Sequence, residues 1–180
     1  IPLLVQLKSD NPMVVSNAAL AFSKVLALPA ACELFFAKSG HKVVMRLFDG
    51  KDPTIQIHLL SCMAYLMAYE PAQEAIVEAG LKDKFIPLLN GRSELLQLYA
   101  LKSIIKFTQQ ERVLNLITPS EWITPMIRFL RSSSSKLQRR ACQALAHLAC
   151  NDEECDRIES QGVIPILVSM LGHVDEPKLR

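Results

Sequence analysis

His147, Cys150 and Cys155 form a His-x2-Cys-x4-Cys run, the densest grouping of metal-ligating and nucleophilic side chains in the sequence. Structural zinc takes four ligands at recurrent spacings, and Asp152, Glu153 and Glu154 are weak candidates for the fourth. His147 and Cys150 stand three positions apart, where one helical face could bring a base to a thiol. No third group that would orient the imidazole is legible beside them, and no oxyanion device. All six glycines sit where helices should end, so none builds a phosphate-cradling loop. We expect no catalytic residue, no metal and no cofactor.

Binding chemistry is better supported, because it recurs in step. Ala18, Leu59, Ala100 and Ala141 follow one another at intervals of 41 residues. Each opens the same pattern: Ala18-x-x-Ala21-Phe22-x-x-Val25, Leu59-x-x-Cys62-Met63-x-x-Leu66, Ala100-x-x-Ser103-Ile104-x-x-Phe107 and Ala141-x-x-Ala144-Leu145-x-x-Leu148. A small residue, a large apolar neighbour and a further apolar residue one turn on describe a packed helix face. Its return at a fixed step marks a helical solenoid, with a period in the armadillo/HEAT range.

The face opposite this core stripe carries Asn17, Leu20 and Lys24, then His58, Ser61 and Tyr65, then Tyr99, Lys102 and Lys106, then Arg140, Gln143 and His147. None of these is acidic, in a chain whose formal net charge is only +2. Such a ridge predicts an electropositive trough, and a concave surface focuses that field on a ligand. The partner it suits is an extended acidic protein segment that orders on binding. Lys102 and Lys106 are one helical turn apart and could grip successive carboxylates.

These residues need long helices to hold them, and the punctuation supplies three helices per period. Gly40, Gly80 and Gly162 (with Ser120 in the fourth place) should close one short helix, and Gly50, Gly91 and Gly172 (with Ser9 and Ser132) the next. Asn11-Pro12, Asp52-Pro53 and Glu70-Pro71 place a capping residue before a proline suited to the first helical position. One period then reads as helices near Pro71–Ala79, Leu81–Asn90 and Ser93–Gln109. Ile86-Pro87 comes three residues later than its counterparts, which predicts a shifted second helix there. Ser132–Ser135 reads as a solvated turn. No stretch alternates at period two, so the fold class is all-α.

The chain here resembles the armadillo repeat family. The resemblance rests on Ile1-Pro2-Leu3-Leu4-Val5-Gln6-Leu7, on Val163-Ile164-Pro165-Ile166-Leu167-Val168, on Glu74-Ala75-Ile76-Val77-Glu78-Ala79-Gly80, and on Ala141-Cys142-Gln143-Ala144-Leu145-Ala146-His147-Leu148-Ala149. It implies a right-handed superhelical solenoid of three-helix repeats over residues 1–180. Within it fall a partial repeat at 1–40, repeats at 41–80, 81–120 and 121–162, and a partial repeat at 163–180. It further implies a protein-interaction scaffold whose third helices line the concave surface. Importin-α-like grooves use a ladder of Trp and Asn; this chain has Leu20, Ser61, Lys102 and Gln143 at the Trp places and Lys24, Tyr65, Lys106 and His147 at the Asn places. The basic set fits the catenin-like alternative, with its adhesion or signalling partners.

Composition narrows the remaining classes. No apolar run is long enough to span a bilayer, and no targeting segment is expected at Ile1. The five cysteines are an odd number, with Cys62 and Cys142 on the apolar stripe, which suits free thiols in the cytoplasm or nucleus. His41, His58 and His173 read as surface or groove polarity, and Trp122 as a packing residue. Neither end shows a polar capping repeat, so a longer solenoid is expected. A regulatory solenoid, with Lys106, Arg140 and His147 as an anion pocket or an enzyme domain held in check, is the alternative. Single-stranded RNA is a weaker one, since bases read by repeats call for matched residues at matched positions.

Overall fold

The computed structural model describes residues 2–117, 120–149 and 151–172. Among them are thirteen helices and no strand: α1 (Pro2–Gln6), α2 (Pro12–Val25), α3 (Pro29–Ala37), α4 (Gly40–Leu47), α5 (Pro53–Leu66), α6 (Glu70–Glu78), α7 (Leu81–Asn90), α8 (Glu94–Phe107), α9 (Glu111–Leu116), α10 (Ser120–Leu130), α11 (Ser135–Leu148), α12 (Asp152–Ser160) and α13 (Val163–Gly172). Cys150, His173 and Asp175-Glu176-Pro177 lie outside the described residues. The chain resolves into two compact units, Ile1–Ile117 and Thr118–Arg180.

The four long helices α2, α5, α8 and α11 are each 14 residues long and start 41 residues apart. Asn11 and Asp52 cap α2 and α5 as their sequence predicts, accepting backbone N–H bonds from Met13 and from Thr54 and Ile55. Ser93 and Ser134 do the same for α8 and α11, with N–H groups from Leu96 and Leu137. Ser134 therefore belongs to a capping turn; Ser132 Oγ accepts from its backbone N–H. Glu70 is not a cap, because α6 begins one residue earlier than expected and Tyr69 takes that place without a side-chain bond.

In the first unit α2 packs on α5 and α5 on α8, while α4 and α7 lie against the long helix that follows each. In the second, α10 packs on α11, and α12 and α13 on α10. Ala18, Leu59, Ala100 and Ala141 are all buried, as the core stripe requires. Leu66, Phe107 and Leu148 are buried too, whereas Val25 is 43% exposed. The long helix α5 flanks α2 on one side, but α5 itself lies between two long helices.

Three further expectations are corrected. The second helix holding Pro87 is not shifted: α7 starts one period after α4 and runs through Pro87. His41 is buried, not surface polarity; it stacks on Phe36 with ring centroids 4.5 Å apart. Gly40 does not carry the left-handed turn that ends α3. Ser39 takes φ 56°, and Gly40 opens α4 with the Phe35 ring so close that a Cβ would sit 2.5 Å from it. Gly80, at φ 87°, does hold the turn in the next repeat. Trp122 is buried as expected, while Cys142 is only half-buried.

Candidate functional site

Each long helix turns its core stripe inward, so the residues one before, two after and six after the small residue must face away from the core. None of the twelve so placed is buried. In the first unit, Leu20, Lys24, His58, Ser61, Tyr65, Tyr99, Lys102 and Lys106 all line a single trough of about 460 Å³ across α2, α5 and α8. Asn17 is exposed but outside that lining. Arg140, Gln143 and His147 belong to α11 of the second unit, where the Arg140 guanidinium donates to Gln143 Oε1 at 3.0 Å.

The charged residues that line the trough are all basic. Three lysines and His58 line it and no carboxylate does. Lys106 Nζ stands 3.3 Å from the centroid of the Tyr65 ring, so the ring face holds the ammonium in place. Partial burial lowers the Lys106 pKa, and the neighbouring Lys102 charge lowers it further. Both effects come from a cation short of anions and water. His58 is half-buried, and burial followed by the Lys24 charge holds its pKa below the usual histidine value. It is neutral near pH 7 and can accept or donate one hydrogen bond there.

The floor is fixed from beneath. The buried Ser103 hydroxyl donates to Leu60 O at 2.9 Å, tying α8 to α5 between the trough lysines. The Ser61 hydroxyl donates to Ile57 O at 3.3 Å. Ser23, Ala27, Ile57, Ala64 and Ser103 complete the lining and were not among the sequence candidates. Ala27 and Ala64 each follow a candidate by one turn, so small residues at that offset were the available signal.

Of the His-x2-Cys-x4-Cys run, Cys150 lies outside the described residues. Cys155 is exposed and free, its thiol 4.0 Å from Ala149 O. Among the described residues no group of three His, Cys, Asp or Glu could hold a metal ion. Nor is any described helix long and apolar enough to cross a membrane.

No family model matches the chain. Among curated proteins it is 24% identical over 217 residues to Protein CELLULOSE SYNTHASE INTERACTIVE 3 of Arabidopsis thaliana, across 95% of this chain and 10% of that protein. The chain thus spans about a tenth of that relative's length. Among solved structures it superposes with a TM-score of 0.86 and 18% identity on a designed armadillo repeat protein in complex with the peptide (KR)4, covering 97% of this chain and 75% of that one. Computationally designed armadillo repeat proteins for modular peptide recognition give 0.81 at 20% identity, with 97% and 75% covered. An engineered protein gives 0.85 at 20% identity, with 97% and 74% covered. These likenesses establish an all-α fold of armadillo type.

Proposed function

We propose that the chain is a non-catalytic protein-binding module that holds an extended acidic segment of a partner in the α2–α5–α8 trough. The observation that carries this reading is the lining itself: Lys24, Lys102 and Lys106 converge with no carboxylate among them. Cations brought together without counterions raise one another's free energy, and an anionic ligand relieves that cost. An extended chain fits because three helices contribute in series, each with residues three to seven apart along one face. Tyr65 and Tyr99 offer ring faces and hydroxyls between the lysines, the mixture that anchors interface segments. A basic segment such as (KR)4 would meet like charge in this trough. Free thiols at Cys32, Cys62, Cys142 and Cys155 favour a cytoplasmic or nuclear setting, and an adhesion or signalling partner of the catenin-like kind belongs to the same proposal. Arg140, Gln143 and His147, on α11 of the second unit, form a separate candidate contact.

Nitrogen-15 chemical-shift mapping with a ten-residue polyglutamate peptide tests the reading. Perturbations should concentrate at residues 20–27, 57–65 and 99–106. Perturbations centred on other helices, or none at millimolar peptide, would refute it.

A further inference from the structure

A second, smaller cavity adjoins the trough and differs from it in character. It has a volume of about 110 Å³ and is lined by Leu26, Ala27, Pro29, Cys32, Tyr65, Ala68 and Tyr69. Ala27 and Tyr65 also line the trough, so they form the wall between the two. On the trough side, Lys24 lies one turn before Ala27, and Lys106 rests on the Tyr65 ring. The pit itself has no charged residue. Its one buried polar group, the Cys32 thiol, already donates to Leu26 O at 3.0 Å and lies 3.8 Å from Tyr65 O. Burial holds that thiol's pKa up, so it stays neutral. Tyr69 is steadied by an edge contact with Phe36, centroids 5.9 Å apart.

Size decides what such a pit can take. Small-molecule sites occupy roughly 300–1,000 Å³, so a space this small does not hold a separate ligand. It falls somewhat short of the ~150 Å³ apolar cavity that accepts a benzene ring. One side chain the size of Leu, Ile or Met fits, an indole does not, and a charged side chain would lose water among walls that carry no charged residue.

We propose that the pit seats a single Leu, Ile or Met side chain of the same acidic segment, next to the carboxylates held by Lys24 and Lys106. The partner motif is then a run of acidic residues interrupted by one aliphatic residue. This rests on the trough reading above and adds a requirement that charge alone does not impose.

Three fluorescent ten-residue polyglutamate peptides, carrying Gly, Leu or Trp at one central position, separate the two claims. On the unaltered chain the Leu peptide should bind about tenfold more tightly than the Gly peptide, and the Trp peptide should show no such gain. In Ala68→Phe, whose ring fills the pit mouth, the Gly peptide should bind as before and the Leu advantage should vanish. A photo-leucine at the same position should cross-link to residues 26–32 or 65–69 of the unaltered chain. Equal affinities for Leu and Gly peptides, or cross-links elsewhere, overturn the pit while leaving the trough. Failure of all three peptides to bind overturns both.

Discussion

Lys106 and Lys102 sit one turn apart on α8, yet the structure gives them unequal weight. Lys106 is half-buried over the Tyr65 ring at 3.3 Å, whereas Lys102 is exposed. A carboxylate bound at Lys106 makes a charge-assisted hydrogen bond in a partly dry site, worth about 1.5–3 kcal/mol. At Lys102 the same pair is screened by water and worth about 0.2–1 kcal/mol. Lys106→Ala should therefore weaken polyglutamate binding by roughly 10- to 150-fold, and Lys102→Ala by no more than about fivefold. Fluorescence anisotropy in 50 mM salt measures both, with helical content by circular dichroism as the check on folding. Tyr65→Ala should reproduce part of the Lys106 loss without removing a charge, because it frees the ammonium from the position the ring imposes; Tyr65→Phe should not. Equal losses at the two lysines would refute the argument that burial and the ring set their weight. So would a larger loss at Lys102.

Binding of the acidic peptide should tighten as pH falls through the histidine range. His58 has a lowered pKa when free, carboxylates nearby would raise it, and the complex then holds more protons; isothermal titration in two buffers should detect proton uptake, with a change of at most about tenfold per pH unit. Gly40→Ala should cost about 1–3 kcal/mol despite the better helix propensity of alanine, since its Cβ would overlap the buried Phe35 ring. Ser39→Gly should gain about 1 kcal/mol by relieving a left-handed non-glycine residue; urea unfolding reads both, and a gain for Gly40→Ala with a loss for Ser39→Gly would show the turn misassigned. Ala144→Asp should unfold its repeat, because Ala144 is fully buried and the carboxylate would have no partner; loss of the cooperative thermal transition is the readout.

The long helices were legible because the apolar stripe with its 41-residue step agreed with the Asn11-Pro12 and Asp52-Pro53 caps; the Ser93 and Ser134 caps were found only in the structure. The same stripe, by subtraction, named twelve outward positions, none of which is buried, and eight of them line the trough. What escaped was set by packing contacts that no repeat consensus encodes. Gly40 looks like Gly80 in a repeat alignment, but the Phe35 ring packs where its Cβ would be, and the left-handed residue is Ser39. His41 looks polar until Phe36 covers it. A further device has no consensus letter at all. In three of the four long helices the carbonyl just past the last helical residue receives a side chain six residues on: the Cys32 thiol bonds Leu26 O, Gln73 Nε2 bonds Met67 O, and Cys155 approaches Ala149 O. In the remaining repeat Leu114 holds that place, and Thr108 turns its own hydroxyl to Ile104 O instead. Position, not residue type, is what repeats there. The apolar pit was equally hidden, since its walls come from the ends of two long helices and the start of α3.

The sign of the preferred ligand charge tests the central claim most directly. Side-by-side anisotropy titrations of the unaltered chain with polyglutamate and with (KR)4, in 50 mM and 300 mM salt, would measure it. The trough's three lysines predict binding of polyglutamate alone, weakening steeply with salt. Tighter binding of (KR)4, or polyglutamate binding indifferent to salt, would contradict the account.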